Sequence, residues 1–189
     1  MTEKIDSGQK EELIGKCRKG DRKAQFELYR LYFKAMYNAA LRIVSQPAEA
    51  EDIMQEAFLS AFRKIETYKG DVSFGAWLKK IVINKSIDAL RQRKLRFEEI
   101  TGQEPDAEPE HALDFEEDDK MQGERMVTQI KDAISKLPQG YRVVLTLALI
   151  EGYDHEEIAQ VLSISESTSR SQLVRARKKL ITIINSTRK

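Results

Sequence analysis

Cysteine is nearly absent: Cys17 is the only one in 189 residues. One thiol cannot build a disulfide framework, and the chain reads as a protein of a reducing compartment. Histidine is almost as scarce, at two. His155 stands beside Glu156 and Glu157, but no second histidine or cysteine sits at ligand spacing, and His111 lies in a different segment. That argues against a metal or acid–base centre. There is no glycine-rich phosphate loop and no nucleophile elbow. No apolar run approaches the roughly 20 residues of a membrane span. The opening Met-Thr-Glu-Lys-Ile-Asp lacks the apolar stretch of a signal peptide. These absences lead to the expectation of a cytoplasmic protein with no cofactor, no metal and no enzymatic site.

Net charge is also slight, at +1, but the total hides a segregation. Residues 79–96 carry seven Lys/Arg against the single acid Asp88, and residues 98–119 carry eleven Asp/Glu and no Lys/Arg. Residues 168–189 carry seven Lys/Arg and no acid. Two basic blocks flanking an acidic one suggest a nucleic-acid binder that the sum alone conceals.

The most informative stretch is Gly152–Leu180. Asp154 suits an N-cap, and Glu157 three residues on completes a capping box. Ile158, Ala159, Val161 and Leu162 form the inner face of a short helix. Ser163-Ile164-Ser165 is the turn, and Ser165 caps a second helix from about Glu166. There Leu173, Ala176 and Leu180 make one stripe, and Arg170, Ser171, Val174, Arg175 and Lys178 make the other. A short helix, a turn and a helix with a basic, hydroxylated outer face is the arrangement that reads a major groove. The same pattern also fits a plain helical hairpin with a solvated outer face. Ser163 occupies a turn position where glycine is common, and Ser169 shares a face with Leu173 where an apolar residue would pack better.

The rest of the chain reads as helix throughout. A first helix spans about 10–19, with Leu13 and Ile14 inward. A second, about 21–45, places Phe26, Tyr29, Phe33, Tyr37, Ala40, Leu41 and Val44 at helical spacing, as core. Pro47 opens a third, to about 66, with Ile53, Ala57, Phe58, Ala61 and Ile65 inward and Glu49, Glu51, Asp52, Gln55 and Glu56 outward. Tyr68 to Ser73 is a loop turning at Lys69-Gly70-Asp71. A helix over about 73–95 follows, with Phe74, Trp77, Leu78 and Ile81 toward a core. Lys80, Asn84, Asp88 and Arg91 form its polar stripe, able to meet base edges and phosphates. Residues 97–123 form an acidic, flexible linker broken by Gly102, Pro105 and Pro109. Residues 124–137 resume helical spacing with Met126, Ile130, Ala133, Ile134 and Leu137. Residues 139–150 are too apolar for an exposed helix and belong at the centre of a second domain, with Gly152 as its C-terminal cap. No strand periodicity occurs. The expected fold is all-α: two small helical domains, 1–96 and 124–189, joined by the linker, the second containing a helix-turn-helix.

In this order the segments resemble the sigma-70 family of bacterial RNA polymerase initiation factors, specifically its extracytoplasmic-function group, over about 20–95 and 125–182. Ala50-Glu51-Asp52-Ile53-Met54-Gln55-Glu56-Ala57-Phe58 looks like the family's polymerase-binding segment. Tyr68-Lys69-Gly70-Asp71 through Trp77-Leu78, with Asn84 and Asp88-Ala89-Leu90-Arg91, looks like its promoter-melting and minus-10-reading segment. Leu137-Pro138 with Tyr141-Arg142, Glu157-Ile158-Ala159 and Ser171, Leu173, Arg175-Ala176-Arg177 look like its minus-35-reading domain.

The resemblance implies that Glu51, Asp52, Gln55 and Glu56 contact core RNA polymerase. It implies that Tyr68, Lys69, Gly70, Asp71, Ser73, Lys80, Asn84 and Arg91 hold the single-stranded minus-10 element, and that Ser167, Thr168, Arg170, Ser171, Val174 and Arg175 read the duplex minus-35 element. It also implies an anti-sigma factor as partner. Ser163, Ser167 and Ser169 stand where glycine, glycine and an apolar residue are commoner in the family. Gln172 and Val174 replace a commoner arginine and an aromatic or histidine, so promoter sequence does not transfer. The competing reading of the same residues is a helix-turn-helix regulator that binds duplex without polymerase, which leaves the acidic 49–56 face unexplained.

Overall fold

The computed structural model describes residues 7–101 and 122–187, with no strand among them. Most of the expected linker, 102–121, lies outside the described residues. The chain divides into two compact units, Met1–Leu90 and Arg91–Lys189.

In the first unit α1 (Ser7–Arg18) packs on α2 (Arg22–Val44), which packs on α3 (Pro47–Arg63). Each boundary has a local cause. Asp21 accepts from the amides of Lys23 and Ala24 and caps α2. Pro47 fills the first turn of α3, where a missing N–H costs nothing. Ser45 ends α2 in the left-handed region, at φ 60°. A 3-10 turn, Ile65–Thr67, leads into the loop before α4 (Phe74–Thr101). Ile53, Ala57, Phe58, Ala61 and Ile65 are buried as their spacing requires, with Ile14, Leu28, Met36, Leu78, Val82 and Ile83 opposite. The buried Ser86 satisfies its hydroxyl on the Val82 carbonyl one turn back, at 2.9 Å.

Two expectations for this unit need correction. The aromatic half of the expected α2 stripe is not core: Phe26 is 60% exposed and Phe33 42%, while Ala40, Leu41 and Val44 of that stripe are buried as expected and the helix also buries Ala24, Leu28, Met36 and Ala39. Both stripes have helical spacing, and the smaller residues allow the close approach of α1 and α3. Trp77 is half-buried rather than buried. In addition, α4 runs to Thr101, past the expected end near 95. Residues 96–101 contain no helix breaker, and the first one, Gly102, follows directly.

In the second unit α5 (Gln122–Ser135), α6 (Gln139–Leu149), α7 (His155–Leu162) and α8 (Glu166–Thr187) pack with α8 against each of the others. The α6 residues Arg142 to Leu147 are all buried, which makes α6 the centre of this unit. Ile130, expected inward, is 37% exposed, while Ala133, Ile134 and Leu137 are buried. The cap of α6 is Ile150, and Gly152 follows with φ 79°, letting Tyr153 N–H donate to the Leu147 carbonyl at 3.0 Å. Arg142 is buried beneath the end of α5: its Nη1 donates to the Leu137 carbonyl at 3.0 Å and the Ser135 carbonyl at 3.4 Å. It thereby serves carbonyls that a helix ending before Pro138 leaves without amide partners. Burial pulls its guanidinium down to about 10.

Candidate nucleic-acid and protein interfaces

Three surfaces carry the residues singled out above. The first is the outer face of α3. Glu51, Asp52, Gln55 and Glu56 are all exposed, while Ile53, Met54, Ala57 and Phe58 are buried beneath them. Gln55 Nε2 donates to Glu51 Oε1 at 3.3 Å, and Lys85 of α4 pairs with Glu56 at 3.1 Å. A row of carboxylates on a rigid, buried-backed helix is suited to a basic protein surface. The exposed Leu59 adds an apolar spot one turn on.

The second is the loop between the 3-10 turn and α4. Lys69, Gly70, Asp71, Val72 and Ser73 are exposed, and Gly70 has φ 87°, a conformation glycine adopts freely. The loop is tied at three points. Tyr68 Oη donates to the Val72 carbonyl at 2.7 Å, and Arg18 Nη2 of α1 donates to the Tyr68 carbonyl at 2.6 Å. Ser73 Oγ accepts from the Ala76 amide at 3.2 Å and caps α4. Behind it stands an aromatic cluster. Tyr68 meets Phe74 edge-on at 5.5 Å and Trp77 at 5.4 Å, and Phe74 meets Tyr32 at 5.6 Å. Burial raises the pKa of Tyr32, and burial followed by Glu11 raises that of Tyr68. A Cβ on Gly75 would sit 2.8 Å from Tyr32 Cε1, so glycine permits this packing. The result is a pre-shaped loop over a ring platform, bordered by the exposed Lys80, Asn84 and Asp88 of α4. Such a platform suits an unstacked base. Arg91, assigned by sequence to this group, falls just past the boundary, in the second unit.

The third is the α7–turn–α8 segment. Asp154 Oδ1 accepts from the Glu157 amide at 2.8 Å and Glu157 Oε2 accepts from the Asp154 amide at 3.0 Å, the reciprocal box expected. Ser163 makes the turn in the left-handed region, φ 56° and ψ 45°, the conformation for which glycine is the commoner residue. Ser165 Oγ accepts from the Thr168 amide at 3.1 Å and lies 2.8 Å from both the Ser167 and Thr168 hydroxyls. Ser167, Arg170, Ser171, Val174 and Arg175 project from α8 into solvent, Thr168 is half-buried, and Leu173 and Ala176 are buried behind them. Arg170 pairs with Glu166, and Ser171 Oγ donates to the Thr168 carbonyl at 3.0 Å. The outer face is cationic and hydroxylated along two turns, the pattern that grips phosphates and base edges. Ser169 is fully buried, and its Oγ lies 2.9 Å from His155 Nδ1. Sequence alone did not expose that pairing, nor the tie from Arg18 to Tyr68, because each joins residues of separate elements.

Among the described residues no group of histidine, cysteine or carboxylate side chains is arranged to hold a metal, and no helix is long and apolar enough to cross a membrane.

Residues 28–96 match sigma-70 region 2, and residues 128–180 match sigma-70 region 4. The chain is 32% identical to the RNA polymerase sigma-H factor of Pseudomonas aeruginosa, over 89% of this chain and 90% of that one. It is 30% identical to the ECF RNA polymerase sigma-E factor of Haemophilus influenzae, over 87% and 89% respectively. Among solved structures it resembles the sigma factor RpoE in complex with the anti-sigma factor NepR from Bartonella quintana. That likeness has a TM-score of 0.57 at 21% identity, over 84% of this chain and 95% of that one.

Proposed function

The chain belongs to the extracytoplasmic-function group of the sigma-70 family and is a sigma factor, and we propose that it divides promoter recognition between its two helical units. In this reading the acidic face of Glu51, Asp52, Gln55 and Glu56 docks on a basic surface of core RNA polymerase. The loop from Tyr68 to Ser73 captures a base flipped out of the minus-10 element, an unstacking cost of a few kcal/mol offset by ring and backbone contacts. Lys80, Asn84 and Arg91 follow the adjoining strand. Ser167, Thr168, Arg170, Ser171, Val174 and Arg175 read the minus-35 duplex or hold its backbone. The domain limits are then 1–96 and 124–189, with an acidic tether between them that lets each grip raise the effective concentration of the other.

The observation that carries this reading is that one chain presents a carboxylate helix face, a ring-backed loop and a capped helix-turn-helix with a cationic outer face, in the family's order. The acidic face favours a polymerase-dependent factor over a free-standing helix-turn-helix regulator, which has no use for it. The chain makes and breaks no bond itself on this account. It acts where DNA and polymerase are, in the cytoplasm, and an anti-sigma factor covering these faces is the matching control. Run-off transcription with core polymerase tests the proposal. Promoter-dependent initiation supports it; no initiation on any candidate template, together with tight promoter binding by the protein alone, overturns it.

A further inference from the structure

Helix α1 supplies none of the residues assigned above to promoter or polymerase, yet one of its side chains reaches the loop before α4. Arg18, in the last turn of α1, donates from Nη2 to the Tyr68 carbonyl at 2.6 Å, across 50 positions of chain. That bond completes the hold on Tyr68. The Tyr68 amide donates to the Ile65 carbonyl at 3.1 Å, its hydroxyl donates to the Val72 carbonyl at 2.7 Å, and its ring packs on Phe74 and Trp77. The anchor is itself firm. Ile14 and Cys17 are buried, and α1 packs on both α2 and the 3-10 turn. Two acids of this corner are engaged elsewhere: Asp21 caps α2, and Glu12 pairs with Lys16 at 2.7 Å. Glu11 lies seven residues before Arg18 on the same face of α1. Burial raises the Tyr68 pKa most, Glu11 adds to it and Arg18 counters it, so both α1 charges bear on this one residue.

We propose that Arg18 is a positioning residue for promoter opening, a step that rests on the base-capturing role proposed above for the loop Tyr68 to Ser73. Arg18 acts through Tyr68 and touches no base in this role. Its bond fixes the direction in which the chain leaves the 3-10 turn. With the carbonyl held, the hydroxyl can close on Val72 and the ring stays on Trp77, which keeps the loop in one shape over the ring platform. Without it the carbonyl turns to water, and the loop must be ordered when the base enters. Ordering the loop in advance removes that entropy cost from base capture. Arg18 is exposed, so the bond contributes as an ordinary hydrogen bond rather than as a buried charge contact.

The test follows the full chain in two ways. With core polymerase, on a promoter mapped from transcript 5′ ends after overproduction, permanganate reactivity reads opening. In the free protein, Trp77 emission reads the loop, because Trp77 is the only tryptophan and lies 5.4 Å from Tyr68. Arg18→Ala is expected to slow opening about fivefold. It should also shift Trp77 emission to the red and increase its quenching by acrylamide, with polymerase affinity and circular dichroism unchanged. Arg18→Lys keeps a donor on a long stem and is expected to recover at least half of the loss. Lys19→Ala removes the same charge one residue on and is expected to match the wild type in both readouts. Unaltered opening or unaltered emission in Arg18→Ala overturns the proposal. So does Arg18→Lys no better than alanine, an equal effect of Lys19→Ala, or a parallel loss of polymerase affinity. A wild type that opens no promoter overturns the role given to the loop, and a red shift in Arg18→Ala then still separates that failure from one of Arg18 itself.

Discussion

Ser169 Oγ lies 2.9 Å from Nδ1 of His155, tying the first turn of α8 to the first turn of α7. The hydroxyl is fully buried and looks, from sequence, like a packing error on the Leu173 face. It is instead half of a hydrogen bond across the helix-turn-helix. Removing either partner strands a polar atom inside the unit. Ser169→Ala is expected to destabilise the protein by about 1–2 kcal/mol, read from urea midpoints. Pairing it with His155→Ala should give a coupling energy of about 1 kcal/mol in a double-mutant cycle; additive losses would show that the contact contributes nothing.

The turn residue Ser163 is held at φ 56° and ψ 45°, where a side chain is disfavoured by roughly 1–2 kcal/mol. Ser163→Gly is therefore expected to stabilise the second unit by about 0.5–1 kcal/mol after the extra backbone entropy of glycine is deducted. Thermal unfolding checks the sign. A lower midpoint would mean that the serine side chain contributes more than its backbone costs.

Gly75 is the counterpart case, where a side chain does not fit. A Cβ there would meet Tyr32 Cε1 at 2.8 Å, and the ring is backed by Phe74. Gly75→Ala is expected to cost about 1–3 kcal/mol as overpacking. It should also reduce promoter opening, because Tyr32, Phe74, Trp77 and Tyr68 form one cluster beneath the loop. Permanganate footprinting of the opened strand reads the second effect, and unaltered opening would detach the cluster from melting.

Burial, with a smaller contribution from Asp21, pushes the Cys17 thiol up to about 11. In the unfolded chain it titrates near 8.5. A raised folded pKa favours the protonated thiol in the native state. Its contribution to stability is thus complete below about pH 8.5 and is lost as pH climbs toward 11. Urea midpoints of the wild type should therefore fall more steeply above pH 9 than those of Cys17→Ala, and the difference isolates the thiol from the tyrosines. Parallel curves would contradict the assignment.

Much of this was legible in the chain because it is local. The capping box of Asp154 and Glu157, Pro47 at the start of α3, and the buried stripe from Ile53 to Ile65 each depend on residues within a few turns. The α2 aromatics misled because two stripes of that helix have the same period, and only the neighbouring helices decide which is covered. Periodicity also could not show that Ser169 faces His155 or that Arg18 reaches the Tyr68 carbonyl, since each needs two separate elements placed in space. The continuation of α4 to Thr101 was hidden by acidic composition, which changes at residue 98 while the first breaker comes at Gly102.

The division of labour between the units predicts opposite phenotypes. Arg175→Ala should weaken use of the upstream element about tenfold, within the 1–3 kcal/mol of a lost base or phosphate contact, and leave affinity for core polymerase unchanged. Equal loss of both would make Arg175 structural.

The central claim is that promoter grip depends on docking the α3 face to polymerase. The most direct measurement is an electrophoretic shift of a promoter fragment, mapped from transcript 5′ ends after overproduction, with and without core polymerase, for the wild type and for Glu51→Lys with Asp52→Lys. A tight shift that needs polymerase, present for the wild type and lost in the variant while its circular dichroism is unchanged, is the predicted result. A tight shift by the protein alone, equal in both, would contradict it.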